Sequence, residues 1–247
     1  MKKILFLIFI ISQNFFAQTI FDQANSLYKK GQYQAAIESY ENVFRSKKQS
    51  AELYYNLGNC YYKLNKVAPA IYNFEKALLL NPNDTDIQNN LRFAQKRQID
   101  DIKVVPKVGF SKILLDITSR HHYDVWAWFA VGFAGIFLGF FLAFYFMNKT
   151  LPKRLFFTAM MISFLAILIC VAAALSAKSI FDNDQPAIVF AEMISVKTEP
   201  KSTSPDGFIL HAGTKVFVLE SADSWKKIEL TDGKKGWIAN SSIKMLK

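Results

Sequence analysis

The sequence has few of the residues on which most enzyme active sites are built. Its 247 residues include only two cysteines and three histidines. No metal-ligand spacing, nucleophile–base set or phosphate-binding loop stands out along the chain. We therefore expect a protein that is not an enzyme and that uses no cofactor and no metal ion.

The two cysteines do not predict a disulfide. Cys60 falls in a helical segment of the N-terminal half, and Cys170 falls inside a long apolar run. One thiol would then lie in a soluble region and the other in a bilayer, too far apart to be bridged. The soluble regions must be stabilised by packing alone.

Concentrated positive charge is also missing, although the net charge is +10. Residues 18–104 carry +3 and residues 178–247 carry +1, and no other segment exceeds +3. A nucleic-acid-binding protein needs a basic face within one domain. We expect no nucleic acid partner.

Two long segments contain no charged residue at all. Val125–Met147 and Leu155–Ala177 are each 23 residues long. About 20 apolar residues cross the hydrocarbon core of a bilayer. We predict two transmembrane helices at 125–147 and 155–177; the alternative is a pair of buried core helices.

The N-terminus has the pattern of a secretory signal peptide. Two lysines precede the apolar run Ile4–Ile11, and a small residue, Ala17, follows. We predict a signal peptide at 1–17 that is cleaved after Ala17. Phe15 is bulky for its position before the cleavage site, so an uncleaved anchor is the alternative.

The loop predicted at 148–154 sets the orientation in the membrane. It carries Lys149, Lys153 and Arg154 and no acidic residue. Such loops stay in the cytoplasm. Together with the signal peptide, this predicts a two-span protein of the bacterial inner membrane with both soluble regions in the periplasm.

Residues 17–50 and 51–84 repeat each other with an offset of 34. The offset relates Ala36 to Ala70 and Tyr40 to Phe74, among other pairs. A period of this length predicts a helix–turn–helix unit that buries its apolar face by stacking on a copy of itself. Such stacks bind other chains and rarely carry out chemistry.

The second copy resembles the tetratricopeptide repeat. Its first helix has Gly58 and its second has Ala70, where a larger side chain would separate the crossing helices; Pro82 ends the unit. Residues 85–101 keep the first-helix pattern without a second helix. We predict a capping helix at 85–101, with Asp84 or Thr85 as its N-cap, so that the repeat region covers 18–104.

In the tetratricopeptide family the first helices line a concave groove. The resemblance implies which positions of each first helix face this groove. At those positions both copies have the order aromatic, Asn, aromatic, Lys. This predicts a site for an extended peptide; the alternative is that the rings pack between helices. The predicted groove residues are Phe21, Asn25, Tyr28, Lys29, Tyr55, Asn59, Tyr62 and Lys63.

Capture of a peptide C-terminal carboxylate is not expected. Some tetratricopeptide domains use two Asn and three basic residues for this. Asn25 and Asn56 match the two Asn, but the basic positions hold Phe21, Asp86 and Asn90. The cations that the site needs are absent from these positions.

Between the repeats and the first span, residues 105–124 predict an interfacial linker. Ile113, Leu114 and Ile117 share one helical face with Phe110, which indicates a short amphipathic helix on the membrane surface. His121 and His122 are adjacent and predict no metal site.

After a short linker at 178–187, the chain reads as short strands. We predict strands at Val189–Val196, Lys215–Leu219, Trp225–Leu230 and Gly236–Ile238, and a hairpin at Asp232-Gly233. The segments around Gly213, Ser224–Ile228 and Gly236–Ile238 resemble the bacterial SH3-like domain over residues 188–247, which implies a small β-barrel. Phe208 and Trp225 are its candidate surface residues; the alternative places them in the core.

The chain is thus predicted to be a multidomain membrane protein. It combines α-helical tetratricopeptide repeats, two transmembrane helices and a small all-β SH3-like barrel. In this order the modules resemble the BatE family of the Bacteroidetes aerotolerance operon. That resemblance implies a cell-envelope protein linked to oxidative stress, with von Willebrand A-domain membrane proteins as partners.

Two functions follow from these modules. The first is a periplasmic scaffold that is anchored in the membrane and binds protein partners in the repeat groove. The second is a tether to the cell wall, in which the SH3-like domain binds peptidoglycan.

Overall fold

A computed structural model describes residues 20–45, 49–103 and 123–247 of the chain. The signal peptide predicted at 1–17 and almost all of the linker predicted at 105–124 lie outside the described residues. The described chain divides into two compact units. One combines the helical region up to Lys103 with Gln185–Lys247, and the other contains the two apolar helices.

The N-terminal region consists of helices joined by short turns. Ser50 begins the third helix, because its hydroxyl accepts a hydrogen bond from the Leu53 N–H. Asp84 begins the fifth helix in the same way, through the N–H groups of Asp86 and Ile87. The helices are α1 (20–29), α2 (Tyr33–Arg45), α3 (Ala51–Lys63), α4 (Val67–Leu80) and α5 (Thr85–Gln95).

The repeat appears in the turns as well as in the helices. Gly31 follows α1 with φ +74°, and Asn65 follows α3 with φ +59°. The two residues are one repeat apart, and each supplies the left-handed conformation that reverses the chain. Gly and Asn are the residue types that adopt this conformation at least cost.

Close packing between α3 and α4 explains the small residues of the second copy. A methyl group at Gly58 would lie 2.6 Å from the ring of Phe74, which is itself fully buried. Ala70 is also fully buried at this crossing. The helices can approach only because position 58 has no side chain.

The second unit contains two long apolar helices, α6 (Tyr123–Phe146) and α7 (Thr150–Asn183). Only 6 % and 17 % of their most apolar windows are buried, whereas a core helix of a soluble protein is mostly buried. Both are long and apolar enough to cross a membrane. The Ser163 hydroxyl joins them by donating to the Phe133 carbonyl oxygen at 2.9 Å.

Helix α7 is longer than the predicted span at both ends. It begins at Thr150 instead of residue 155, so Lys153 and Arg154 lie in its first turns. Pro152 permits this early start, because the first turn of a helix needs no N–H donors. At the other end the helix continues to Asn183, into the predicted linker.

The C-terminal region forms an antiparallel seven-stranded sheet. Its strand order is β3-β2-β6-β5-β4-β1-β7. Closure into a barrel stays a prediction. The strands are β1 (Pro186–Val189), β2 (Met193–Lys197), β3 (Asp206–His211), β4 (Lys215–Ala222), β5 (Trp225–Glu229), β6 (Lys235–Ala239) and β7 (Ile243–Met245).

The strand expected at Val189–Val196 is two strands. β1 pairs with β4 and β7, whereas β2 pairs with β3 and β6. One continuous strand has only two edges and cannot serve four partners, so the chain breaks at residues 190–192. The hairpin predicted at Asp232-Gly233 does join β5 to β6, with Gly233 at φ +89°.

Candidate functional site

Asparagine pairs align the first helices of successive repeats. Asn56 Nδ2 donates to Asn25 Oδ1 at 3.2 Å, and Asn90 Nδ2 donates to Asn59 Oδ1 at 2.8 Å. Both residues of the second pair lie one repeat length after the corresponding residues of the first pair. These bonds use the carbonyl oxygens of Asn25 and Asn59. In the part of the chain that the structure describes, no acceptor is bonded to the side-chain N–H groups of these two residues, so both amides can donate to a ligand.

The four predicted groove rings are all half-buried. Phe21 packs on Tyr40 at a centroid distance of 5.6 Å, Tyr28 on Tyr33 at 5.4 Å, and Tyr55 on Phe74 at 6.0 Å. Packing between helices therefore takes part of each ring, as the alternative expects. The remaining surface of each ring is exposed, so a ligand contact stays a prediction.

The fourth ring, Tyr62, is covered by a residue that the sequence did not single out. The guanidinium of Arg97 lies 4.0 Å from the centroid of this ring, and Nη1 donates to Asn65 Oδ1 at 3.1 Å. Arg97 lies one repeat length after Lys63. Applying the offset a second time, from Lys63, would have found it, because α5 continues the row of first helices.

The third row keeps only the final cation of the first two, because Asn89, Phe93 and Lys96 stand where those rows have an aromatic ring, Asn and an aromatic ring. Phe93 occupies the place of Asn25 and Asn59, and its side chain is 52 % exposed. Lys29 and Lys63, the last predicted groove residues, are both exposed. The groove face thus adds one aromatic ring, Phe93, and two cations, Lys96 and Arg97, to the predicted set.

The opposite rim of this face is acidic. Glu52 and Asp86 lie in the first turns of α3 and α5, again one repeat apart. They line a cavity of about 280 Å³ together with Tyr55 and Asp84. Acidic residues at helix N-termini and basic residues at C-termini agree with the helix dipoles.

On the sheet, the two predicted surface residues are half-buried. Phe208 packs against the sheet core, and Trp225 lies in β5 opposite Ala239. Sequence reasoning missed the most exposed large apolar side chains of the sheet, which lie on neighbouring strands. Met193 in β2 is 65 % exposed and Ile209 in β3 is 51 % exposed.

The helical region and the sheet form one unit through contacts that the sequence did not predict. Asp100 accepts hydrogen bonds from the His211 N–H at 2.7 Å and from the Thr214 hydroxyl at 2.6 Å. Lys215 Nζ lies 2.7 Å from the carboxylate of Glu75, which is buried. Because more than a hundred residues separate these partners, no local pattern could reveal them.

Apolar contacts complete this interface. Tyr72 of α4 packs on Phe190 at 5.7 Å, and Lys244 Nζ lies 4.5 Å from the centroid of the Tyr72 ring. Gly213 has φ +99°, and a methyl group there would lie 3.1 Å from Ile71. Both the backbone conformation and the close approach favour glycine.

The environment of Asp100 lowers the pKa of its carboxyl group. Burial alone would raise this pKa, but hydrogen bonds from Thr214 and from the backbone and ring of His211 stabilise the charged form more strongly. Asp100 is therefore ionised at neutral pH and holds its three donors by charge-assisted bonds.

The thiol of Cys60 is unsuited to redox chemistry. It is fully buried, and burial raises its pKa to about 12, whereas reactive cysteines have lowered pKa values. Among the residues that the structure describes, no group of three or more His, Cys, Asp or Glu could hold a metal ion. The absence of a cofactor stays a prediction.

Comparison with protein families identifies the helical region. Residues 51–84 match the tetratricopeptide repeat model, and residues 24–65 match a second TPR repeat model. No curated protein matches the chain. The matches together span residues 24–84 and confirm repeats of the tetratricopeptide type.

Proposed function

We propose that this chain, with its tetratricopeptide-type repeats, is a non-enzymatic scaffold that binds a segment of a protein partner in the repeat groove. The observation that carries the proposal is that α1 and α3 present the same order of groove residues, aromatic, Asn, aromatic and Lys, and that α5 packs beside them as the next first helix. The two asparagine pairs align these helices, and the row leaves amide donors, aromatic edges and cations for a ligand. Repeats of this kind are consistent with protein–protein interaction.

The groove is tested by replacing Tyr55 and Tyr62 with alanine in the full-length protein. Co-purification after crosslinking in cells then reports on the partners. The matched control is Tyr61→Ala, because Tyr61 is a half-buried tyrosine on the same helix that bonds instead to Glu41 of α2. Loss of a partner in the groove variant alone supports the proposal, provided that both variants melt at the same temperature. An unchanged partner profile contradicts it.

Two spans and a basic loop support a periplasmic location for the soluble unit. Lys149, Lys153 and Arg154 lie between or at the ends of the two apolar helices and favour the cytoplasm. Segments before α6 and after α7 belong to one unit, which agrees with both flanks lying on the same side. A periplasm-specific reporter fused after Lys247 should be active; replacing the three cations with glutamate should lower that activity.

We further propose that the protein works in the cell envelope in tolerance of oxygen. The support is the order of the modules, which is similar to that of the BatE family of the aerotolerance operon. The same resemblance implies von Willebrand A-domain membrane proteins as partners of this chain. A deletion strain should survive oxygen exposure less well. The wild-type gene should restore survival, and the Tyr55→Ala plus Tyr62→Ala gene should not.

A second candidate function is a tether to the cell wall through the predicted SH3-like barrel. The exposed Met193 and Ile209 on adjacent strands favour a contact surface on the sheet. Full-length protein in detergent should then sediment with isolated peptidoglycan, and Ile209→Glu should abolish this. If the wild-type protein does not sediment with peptidoglycan, the proposed tether function is wrong.

A further inference from the structure

We propose that the groove takes an extended acidic segment whose carboxylates recur at every third residue. This inference rests on the proposed function, because it takes the groove as the partner site. It adds the charge, the spacing and one apolar residue of the ligand. None of the three follows from a general capacity to bind peptides.

The charge follows from a row of three cations. Lys29 and Lys63 end α1 and α3, and Arg97 follows the end of α5; each is one repeat length from the next. The three cations lie at the ends of neighbouring helices, because hydrogen bonds join α1 to α3 and α3 to α5. Arg97 stacks on Tyr62, the residue before Lys63, so the last two members of the row lie at the same end of α3.

The row has no internal counter-charge. Among the described residues, no carboxylate lies within 4.0 Å of the charged atoms of Lys29, Lys63 or Arg97. The acidic residues of the same face, Glu52 and Asp86, lie in the first turns of α3 and α5, at the opposite rim. A carboxylate placed along the basic rim would meet three cations and stay clear of both acids.

The spacing follows from helix packing. Axes of packed helices lie about 8–10 Å apart, and an extended chain advances about 3.1–3.4 Å per residue. Three residues of such a chain therefore cover the distance from one cation to the next. A segment with acidic residues at i, i+3 and i+6 matches Lys29, Lys63 and Arg97 in turn.

Phe93 adds an apolar contact at one end of the row. It lies one helical turn before Arg97 and is 52 % exposed, although a capping helix is expected to carry a polar outer face. Lys96 Nζ lies 5.7 Å from the centroid of its ring. The ligand is expected to carry an apolar side chain next to the acidic residue that meets Arg97.

The test uses full-length protein in detergent and three fluorescein-labelled peptides of equal length. The first carries glutamate at every third residue and a terminal leucine, the second has the same composition with the glutamates adjacent, and the third has lysine in place of glutamate. Fluorescence anisotropy gives the affinities. We expect the first peptide to bind about threefold to tenfold tighter than the second, because exposed ion pairs contribute little each. The third should not bind, and salt should weaken the first.

Single variants then locate the contact. Lys29→Gln, Lys63→Gln and Arg97→Gln should each weaken the first peptide by about twofold to fivefold. Lys201→Gln, which removes an exposed lysine of the connection between β2 and β3, should leave the affinity unchanged. Phe93→Ser should weaken the leucine peptide but not a peptide that ends in serine.

The outcomes separate this inference from the function on which it rests. Equal affinity for the spaced and adjacent glutamates overturns the spacing, and binding of the lysine peptide overturns the charge. If no acidic peptide binds while Tyr55→Ala plus Tyr62→Ala still removes the cellular partner, the acidic ligand is wrong and the scaffold stands. If the partner also still co-purifies with the groove variant, both the acidic ligand and the scaffold function are wrong.

Discussion

Both carboxylate oxygens of Asp100 bond to His211: Oδ2 to the backbone N–H and Oδ1 to ring Nδ1, each at 2.7 Å. Asp100 follows the last described helix of the repeat region, and His211 ends β3. The two contacts fix the position and the orientation of one segment on the other. The groove and the sheet consequently belong to one body, so two contacts with a partner would have a fixed separation.

Replacing Asp100 with alanine should destabilise this body. The change leaves the His211 N–H and the Thr214 hydroxyl without their acceptor, and loss of bonds to a charged group should lower the free energy of unfolding by about 2–4 kcal/mol. Chemical denaturation followed by tryptophan fluorescence measures the effect, and hydrogen exchange of residues 206–217 locates it. Asp101→Ala is the control, because Asp101 is an exposed neighbour. Equal loss in both variants would mean that the contact with the sheet is not the cause.

The contact between Asp100 and His211 should contribute less to stability at low pH. The pKa of Asp100 is lower in the folded chain than its ordinary value of 3.8, so its contribution is complete above that value and declines as the pH falls through the folded pKa. The melting temperature of the wild-type protein should therefore fall more steeply below about pH 4 than that of Asp100→Asn. Parallel curves for the two proteins would refute a role for this carboxylate.

Gly58→Val should weaken the second repeat. The new side chain would collide with the Phe74 ring, and overpacking of a core costs about 1–3 kcal/mol. The thermal unfolding temperature should fall. Phe74→Leu should cost stability on its own, but the double variant should be more stable than the sum of the two changes predicts. If the stability losses of the two single variants simply add in the double variant, the strain does not arise from contact between residues 58 and 74.

The repeats were predictable because their signals are local. Gly58, Ala70 and Pro82 report on contacts within a single repeat, and the Asp232-Gly233 pair reports on a single turn. The interface was not predictable, because Asp100 and Glu75 are ordinary acidic residues in the sequence. Only the fold brings them to His211 and Lys215. The sequence therefore predicted two separate domains where the structure has one unit.

Ser163→Ala should loosen the pair of apolar helices slightly. It removes the hydroxyl that donates to Phe133, and such bonds between helices in a membrane are worth about 0.6 kcal/mol on average. Titration with a denaturing detergent should show a small loss of stability. Thr158→Ala is the matched control, since the Thr158 hydroxyl bonds to Leu155 within the same helix. A larger effect of the control would argue that the bond between the helices is unimportant.

The distance in sequence between Asp100 and His211, 111 residues, sets an order of events during synthesis. The helical region leaves the ribosome first, and both apolar helices must follow before the sheet exists. Throughout that interval Tyr72, Glu75 and Asp100 have no partner from the sheet, since Phe190, Lys215 and His211 are not yet made. Maturation of the soluble unit therefore waits for the apolar helices, and a chain truncated within α7 would leave this surface of α4 uncovered and prone to associate with other chains.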